Sequence, residues 1–392
     1  MKNVGVISRG IKAPIIKQGN DLVQIVVDSL LAASKEGNFD LQDRDVVGIT
    51  ESIVARTQGN YATVDQIAED VRQKTGGGTV GLVFPILSRN RFVTLLKGIS
   101  KGVDKLIIQL SYPKDEVGNA LFNPELIDDL HVNPYSDVFV GDEIYKKFGR
   151  IQHPFTGMDY VDIYKTVAPN SEVIIANNLT EILKYTDKVI TADIHTRKRS
   201  KRILKDNGAK IVLGLDDILT TSVNGSGYND FCGLLGSNMA TDESVKLFPR
   251  DCQPFVEAVH DKLYKATGKN LEVMVYGDGA FKDPVGGIWE LADPVVSPAY
   301  TKGLIGTPNE VKLKYLADNS IGDLQGEAAK KAIKDLIKKK DKDLFAKKES
   351  LGTTPRRLTD LLGSLCDLTS GSGDKGTPII LVQNYFNNYA ED

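Results

Sequence analysis

Cysteine, histidine and tryptophan are scarce in this chain, with 3, 4 and 1 among 392 residues. Cys232, Cys252 and Cys366 lie far apart and form no CxxC pair, which excludes a zinc ribbon and a disulfide scaffold. His131, His153, His195 and His260 are scattered, without metal-ligand spacing. No apolar run approaches the roughly 20 residues of a membrane span. The first residues, Met1-Lys-Asn-Val-Gly-Val-Ile7, carry no signal-peptide hydrophobic region. Lys plus Arg is 49 and Asp plus Glu is 52, a net charge of −3, so no whole-chain basic signature for nucleic acid exists. A P-loop, a GxSxG elbow and solenoid repeats are all missing. The expectation is a cytoplasmic protein with small-molecule partners, neither membrane-bound nor nucleic-acid-binding.

What is present is an ordinary globular composition, 41% hydrophobic and 26% charged, long enough for two or three domains. Residues 4–7 read as a short strand. A loop with Pro14 and Gly19 follows. Leu22 to Ser34 is apolar at helical spacing, with Asn20 and Asp21 as cap candidates. Asp45 to Thr50 reads as a buried strand and Tyr61 to Lys74 as a helix with Thr63 as cap. Val80 to Leu87 is strand-like. Strands at 106–110, 171–176, 188–192 and 209–214 then alternate with helices at 179–185 and 196–206. That alternation predicts a parallel sheet with covering helices. From Gly225 Gly-rich loops separate strands, among them Leu271 to Tyr276. Residues 309–350 and 355–369 read as helical, and Pro378 to Asn384 as a last strand. The expected fold class is α/β, of mixed α+β type, with an inserted βαβ lobe. The expected boundaries are 1–94 for the first part of the core, 95–225 for the lobe and 226–392 for the rest of the core.

Five segments carry residue types suited to chemistry. Gly371-Ser-Gly-Asp-Lys-Gly376 matches GxGxxG but follows a helix and opens a strand, the wrong context for a dinucleotide fingerprint. It reads as a flexible turn or as a phosphate cradle of another kind. Tyr276-Gly-Asp-Gly-Ala-Phe-Lys-Asp-Pro-Val-Gly-Gly287 puts carboxylates at the end of a buried strand between glycines. Hard divalent cations need such oxygens, although Asp-Gly turns are common. Gly277 and Gly279 would let a phosphate approach closely. Gly225 to Asn238 crowds small and amide residues together, either as a ligand loop or as a plain surface loop. There, Cys232 reads as a small buried hydrophobe. Thr50-Glu-Ser-Ile-Val-Ala-Arg56 follows a strand and joins polar groups to a cation that can clamp phosphate.

The fifth segment, His195-Thr-Arg-Lys-Arg-Ser-Lys-Arg202, holds five cations in eight positions at a predicted helix start. A bound anion would relieve their conflict with the helix dipole, and a solvated face is the alternative. Ser88-Arg-Asn-Arg91 and Ser111-Tyr-Pro-Lys-Asp-Glu116 both follow strands, where α/β proteins place ligand loops.

In their order these segments resemble the coenzyme F-420 gamma-glutamyl ligase family. The likeness rests on Gly10-Ile-Lys-Ala-Pro-Ile-Ile-Lys-Gln-Gly19-Asn-Asp-Leu22, and on the strand Asp45 to Thr50 running into Glu51, Ser52, Arg56 and Gly59. The loop Gly233 to Asn238, the strand end at Asp278 and the turn Gly371 to Pro378 complete it. The resemblance covers about 1–60, 226–300 and 355–385, and implies a larger bacterial member. It implies ligation of L-glutamate to a cofactor carboxylate, a coenzyme F-420 precursor or a folate-like acid. It further implies GTP or ATP as co-substrate, Mn2+ or Mg2+, and a homodimer. Ala13, Pro14, Ile15, Ile16, Glu51, Ser52, Arg56 and Asn238 would bind the nucleotide. Asp278 and Gly279 would sit at a metal position, with Asp283 and Asp230 as further ligands. Arg56 and Asp278 would be the catalytic pair. The chain departs from the family where an acidic metal ligand stands three residues before the loop Asn. That place is Leu235 here, and Asp374 is the candidate acid of the last turn. A catalytically inactive nucleotide-binding regulatory protein of the same fold is the alternative. A Rossmann oxidoreductase is a third reading, against which the missing fingerprint counts.

Overall fold

The computed structural model describes residues 4–283, 286–350, 356–370 and 373–390. Two sheets organise them. The first has five strands in the spatial order Ile7–Ile11, Ile379–Gln383, Val46–Thr50, Glu272–Tyr276 and Ala299–Tyr300. Val46–Thr50 and Glu272–Tyr276 are the neighbours that pair in parallel, in the register Val46↔Glu272 to Thr50↔Tyr276. Their carboxyl ends therefore lie side by side. The first strand begins where the sequence suggests it ends: Ile7–Ile11 pairs antiparallel with Ile379–Gln383, so the two ends of the chain close the sheet together.

Both faces of this sheet are covered, which explains why Val46-Val-Gly-Ile is apolar throughout rather than alternating. On one face lie the helices Leu22–Glu36 and Cys252–Thr267, packing Val26, Leu30, Val256 and Leu263 against Val47, Ile49 and Val273. On the other lies Leu358–Ser370. A Cβ on Gly48 would come within 2.5 Å of Cys366 Sγ, so glycine there lets this last helix reach the strand. Cys252–Thr267 has no counterpart in the sequence-based reading, where the Gly-rich character after Gly225 conceals it.

The second sheet has six strands, in the order Phe139–Val140, Ser171–Ile175, Lys105–Leu110, Thr79–Val83, Lys188–Thr191 and Ile211–Gly214. All but the first are parallel, as the alternation predicts. Thr79–Val83 is central to this sheet, so the sheet begins well before the boundary expected between residues 94 and 95. The apolar run to Leu87 hides this, because the strand stops at Val83 and the chain leaves through Pro85. Tyr61 to Lys74 is not one helix. Tyr61–Thr63 joins a three-stranded sheet with Ser244–Lys246 and Asn238–Thr241, and the helix Val64–Thr75 follows. Thr63 caps it in a capping box with Gln66.

Among the described residues no helix is long and apolar enough to cross a membrane. The Lys- and Ala-rich stretch folds as Leu313–Asn319 and Gly326–Lys338. The basic run forms the helix Arg197–Asp206, where three of its five cations pair with acids of this chain and Lys198 and Arg199 are exposed to solvent. Arg197 and Lys201 both pair with Asp216, at 2.8 and 2.6 Å, and Lys201 also reaches Asp217. The anion at the start of this helix is the Glu116 carboxylate. It accepts from the N–H groups of Ile194, His195 and Thr196 and from Thr196 Oγ1. The conflict with the helix dipole is thus settled within the protein.

Candidate active site

Two adjacent parallel strands ending together leave a crevice at their carboxyl ends, the usual ligand position in such sheets. Here Thr50 runs directly into Glu51, and Tyr276 into Gly277 and Asp278. On one side of these ends is a cavity of about 540 Å³. Ala13, Pro14, Ile15 and Ile16 line it together with Ser52 and Arg56, and Gly373, Gly376 and Thr377 form the opposite wall. The N–H of Ala13 donates to Gly376 O at 3.2 Å, tying the two walls together. Ile15 is 84% exposed, an apolar group held in water at the cavity rim. Arg56 is exposed and makes no ion pair among the described residues. Gly371 and Ser372, the start of the last Gly-rich turn, lie outside the described residues, and Asp374 is exposed.

The other side of the strand ends holds a buried charge cluster. Asp278 Oδ1 pairs with Arg91 Nη2 at 2.7 Å, and Asp293 Oδ1 with Arg91 Nη1 at 2.8 Å. Asp293 is 1% exposed. Its Oδ2 accepts from the Asp278 N–H at 2.8 Å. A Cβ on Gly277 would meet that oxygen at 2.2 Å, so the carboxylate of Asp293 takes the space that the sequence suggests for a phosphate. Gly279 likewise packs on the last helix, its N–H donating to Asp367 Oδ2 at 2.9 Å. Beside the cluster, Lys246 Nζ pairs with Glu51 Oε1 at 2.8 Å, both buried, while Glu51 Oε2 has no hydrogen-bond partner among the described residues.

The electrostatics follow from burial. Asp278 is pushed up to about 6 by burial and then by the charge of Asp293, with Arg91 pulling the other way. Burial raises Asp293 and Asp367 as well. Burial alone would weaken the Arg91 guanidinium, but Asp293, Asp278 and Glu51 outweigh it, and its pKa lies above the usual value.

The remaining sequence candidates separate. Glu51 belongs to the charge cluster and not to the cavity lined by Ala13 and Arg56. Asn238 sits opposite Lys246 in the three-stranded sheet, one strand from the Glu51 pair. Asp230 lines a different cavity of about 660 Å³ with Arg250 and Arg357. Asp283 closes a hairpin between Phe281–Lys282 and Trp289–Glu290, its Oδ2 accepting from the Gly286 N–H. Pro284 and Val285 of that hairpin lie outside the described residues. Asp293 and Lys246 carry no sequence signal. Arg91 stands in a flagged loop, yet nothing local shows that it pairs with acids nearly 200 residues on.

A protein-held divalent metal does not fit this donor set. The carboxylates of Asp278 and Asp293 already share the Arg91 guanidinium. Leu235, where the resemblance implies an acidic ligand, is 1% exposed in the hydrophobic core. Among the described residues no three His, Cys, Asp or Glu side chains come together as a metal site.

Comparison with known families decides the class. The F420-0:gamma-glutamyl ligase family matches residues 10–384. The chain belongs to that family. It is therefore an enzyme-family member with a ligase role, and its α+β architecture agrees with that assignment. The match spans nearly the whole chain, including the six-stranded sheet. Curated proteins give no match.

Proposed function

We propose that the chain is a nucleotide-dependent gamma-glutamyl ligase that joins L-glutamate to the carboxylate of a cofactor precursor. The observation that supports this most is the placing of two cavities on either side of one pair of parallel strand ends, one with a free Arg56 and one against Asp278. The nucleotide, GTP or ATP, occupies the cavity of Ala13 to Ile16, Ser52 and Arg56. An acceptor carboxylate oxygen attacks the terminal phosphorus, the nucleoside diphosphate leaves, and an acyl phosphate forms. The glutamate amine then attacks the acyl carbon, phosphate departs, and the amine proton passes to the departing phosphate as the amide forms. Such phosphoryl transfer needs positioning and positive charge above all, which Arg56 supplies at the phosphates. Mn2+ or Mg2+, implied by the family resemblance, would enter with the nucleotide, since the donor set does not suit an ion held by the protein. A cytoplasmic homodimer belongs to the same reading and rests on the resemblance.

The test is a panel of GTP or ATP, L-glutamate and either a deazaflavin precursor or a reduced folate, reading phosphate release and product mass. A glutamate-sized mass gain on one acceptor is expected. Arg56→Ala is expected to raise the nucleotide Kd by roughly 10- to 100-fold, the loss of a charged hydrogen bond of about 1.5–3 kcal/mol. An unchanged Kd removes Arg56 from the site. Asp278→Asn is expected to lower turnover while moving Tm little, because Arg91 keeps its pair with Asp293, the amide oxygen still accepts from the Ala292 N–H, and burial already disfavours a charge at this position. Unfolding of that variant would make Asp278 a structural turn residue.

Leu235 in the core and Arg91 between the carboxylates favour one second reading, an inactive nucleotide-binding regulatory protein of this fold. Tight nucleotide binding without product on any acceptor would select it.

A further inference from the structure

Between the edge strand Ala299–Tyr300 and the last helix, the chain makes an excursion from the five-stranded sheet. Its two ends meet where the Leu358 N–H donates to Gly306 O at 2.9 Å. The excursion carries the helices Leu313–Asn319 and Gly326–Lys338 and has a small core of its own. Leu316 and Ile337 are buried there, with Tyr315, Ile333 and Leu336 packed around them, and Tyr389 and Ala390 close it. This core takes up Ile333, Leu336 and Ile337, the apolar stripe of the second helix, and leaves the opposite face to solvent.

From Gly326 to Lys348, nine lysines stand against four acids with no arginine, a net +5 in a chain of net −3, which leaves −8 for the rest. The whole-chain balance therefore conceals this surface. Lys331, Lys338, Lys339, Lys342 and Lys348 are exposed and make no ion pair among the described residues. Lys334 and Lys338 stand four apart on the helix, a like-charge spacing that weakens it and that an outside anion would relieve. Two large apolar side chains flank the same helix in water. Leu324, just ahead of it, is 48% exposed. Phe345, just past it, is 74% exposed although its neighbour Leu344 is buried. Phe345 lies within Lys342-Asp-Leu-Phe-Ala-Lys-Lys348, with lysines on both sides.

The kind of anion follows from the kind of cation. Nucleic acid favours arginine forks and several aromatic stacking faces, and this stretch has no arginine and one exposed aromatic. Lysines are flexible point charges, suited to a diffuse anionic plane. Exposed leucine and phenylalanine beside them suit the boundary between headgroups and acyl chains, and stable anchoring takes both signals together. We infer that this pair of helices is a docking surface for an anionic lipid bilayer. The exposed lysines meet the lipid phosphates, and Phe345 and Leu324 enter the boundary. The association is peripheral, since among the described residues no helix is long and apolar enough to span. It does not depend on the ligase reading.

Vesicle flotation with the intact chain tests this. One set of vesicles is phosphatidylcholine alone, and the other adds phosphatidylglycerol as the minor lipid. Binding to the anionic set alone is expected, and it should weaken at high salt, where exposed charges are screened. A lysine near such a surface is worth roughly fivefold in partition, so the joint variant Lys331→Gln, Lys338→Gln, Lys339→Gln and Lys342→Gln should lose about tenfold or more. Arginine at the same four positions should keep the binding. Phe345→Ser should lower it severalfold at unchanged charge. These side chains are exposed, so Tm and the GTP Kd should stay as in the wild type. Absence of binding to the anionic vesicles overturns the proposal. So does equal binding to both sets, or binding that the glutamine variant retains. A short RNA or polyglutamate held through the same lysines, while vesicles are not, overturns it as well and marks the partner as nucleic acid or protein.

Discussion

Arg91→Ala is expected to cost about 3–5 kcal/mol of stability, the range for removing one partner of a buried ion pair. Two carboxylates, Asp278 and Asp293, would lose their common cation at once. Chemical denaturation measures the deficit, and a fall in Tm of roughly 10 °C goes with it. Arg91→Lys keeps one charge but not the fork that reaches both acids, so it should fall between. The pH dependence separates charge from packing. The Asp278 pKa of about 6 stands above its ordinary 3.8, so the folded protein holds a proton there that the unfolded chain releases. Its contribution to stability therefore falls as pH rises from about 4 to about 6, and the cost is complete above that. Without Arg91 the carboxyls rise further and the window extends upward. The deficit of Arg91→Ala should be smaller at pH 5 than at pH 8. Equal deficits at both would mean that Arg91 acts through packing alone. A second variant, Asp293→Asn with Arg91→Met, should recover part of the loss, since it removes the stranded charge as well as its partner.

The parts of this protein that the sequence announces are those set by local patterning. The strands at Val46–Thr50 and Glu272–Tyr276 are unbroken apolar runs ended by polar residues. The helix Leu22–Glu36 shows its apolar stripe, and Asp21 caps it through the Gln24 N–H as expected. The cavity of Ala13 to Ile16 is legible because its residues are contiguous and Arg56 lies one short helix beyond a strand end. What fails is what depends on distant partners. The helix Cys252–Thr267 starts at Asp251, a residue with positive φ and no side-chain cap bond, so its beginning has no ordinary signature. Asp230, Asp283 and Asp278 look alike as carboxylates near glycines. Only the fold shows that the first lines a separate cavity, the second closes a hairpin and the third faces an arginine. The charge cluster draws on Glu51, Arg91, Lys246, Asp278 and Asp293, and no sequence spacing can join them.

Asp115→Ala is expected to cost a similar amount, about 3–5 kcal/mol, by a different route. Asp115 is buried at the lobe loop, where its Oδ2 accepts from the Leu87 N–H and Asn119 Nδ2 at 2.8 and 2.9 Å. Its Oδ1 accepts from the N–H groups of Val117 and Asn119 at 3.1 and 2.8 Å. Alanine strands three backbone N–H groups at once, each worth about 1–3 kcal/mol when left unsatisfied. Asp115→Asn keeps one acceptor oxygen but turns an NH2 toward donors, so it should lie between alanine and the wild type. Burial pushes the Asp115 carboxyl up to about 6, from 3.8, so its contribution also falls as pH rises from about 4 to about 6. The functional consequence is selective. Leu87, Val117 and Asn119 line the cavity beside Trp289, whereas none of them touches the cavity of Arg56. In protein that remains folded, Asp115→Asn should shift the intrinsic fluorescence of Trp289, whose N–H donates to Val117 O on the same wall, and leave the GTP Kd unchanged. A GTP Kd that worsens in parallel would show that this carboxylate supports the whole fold and not this wall alone.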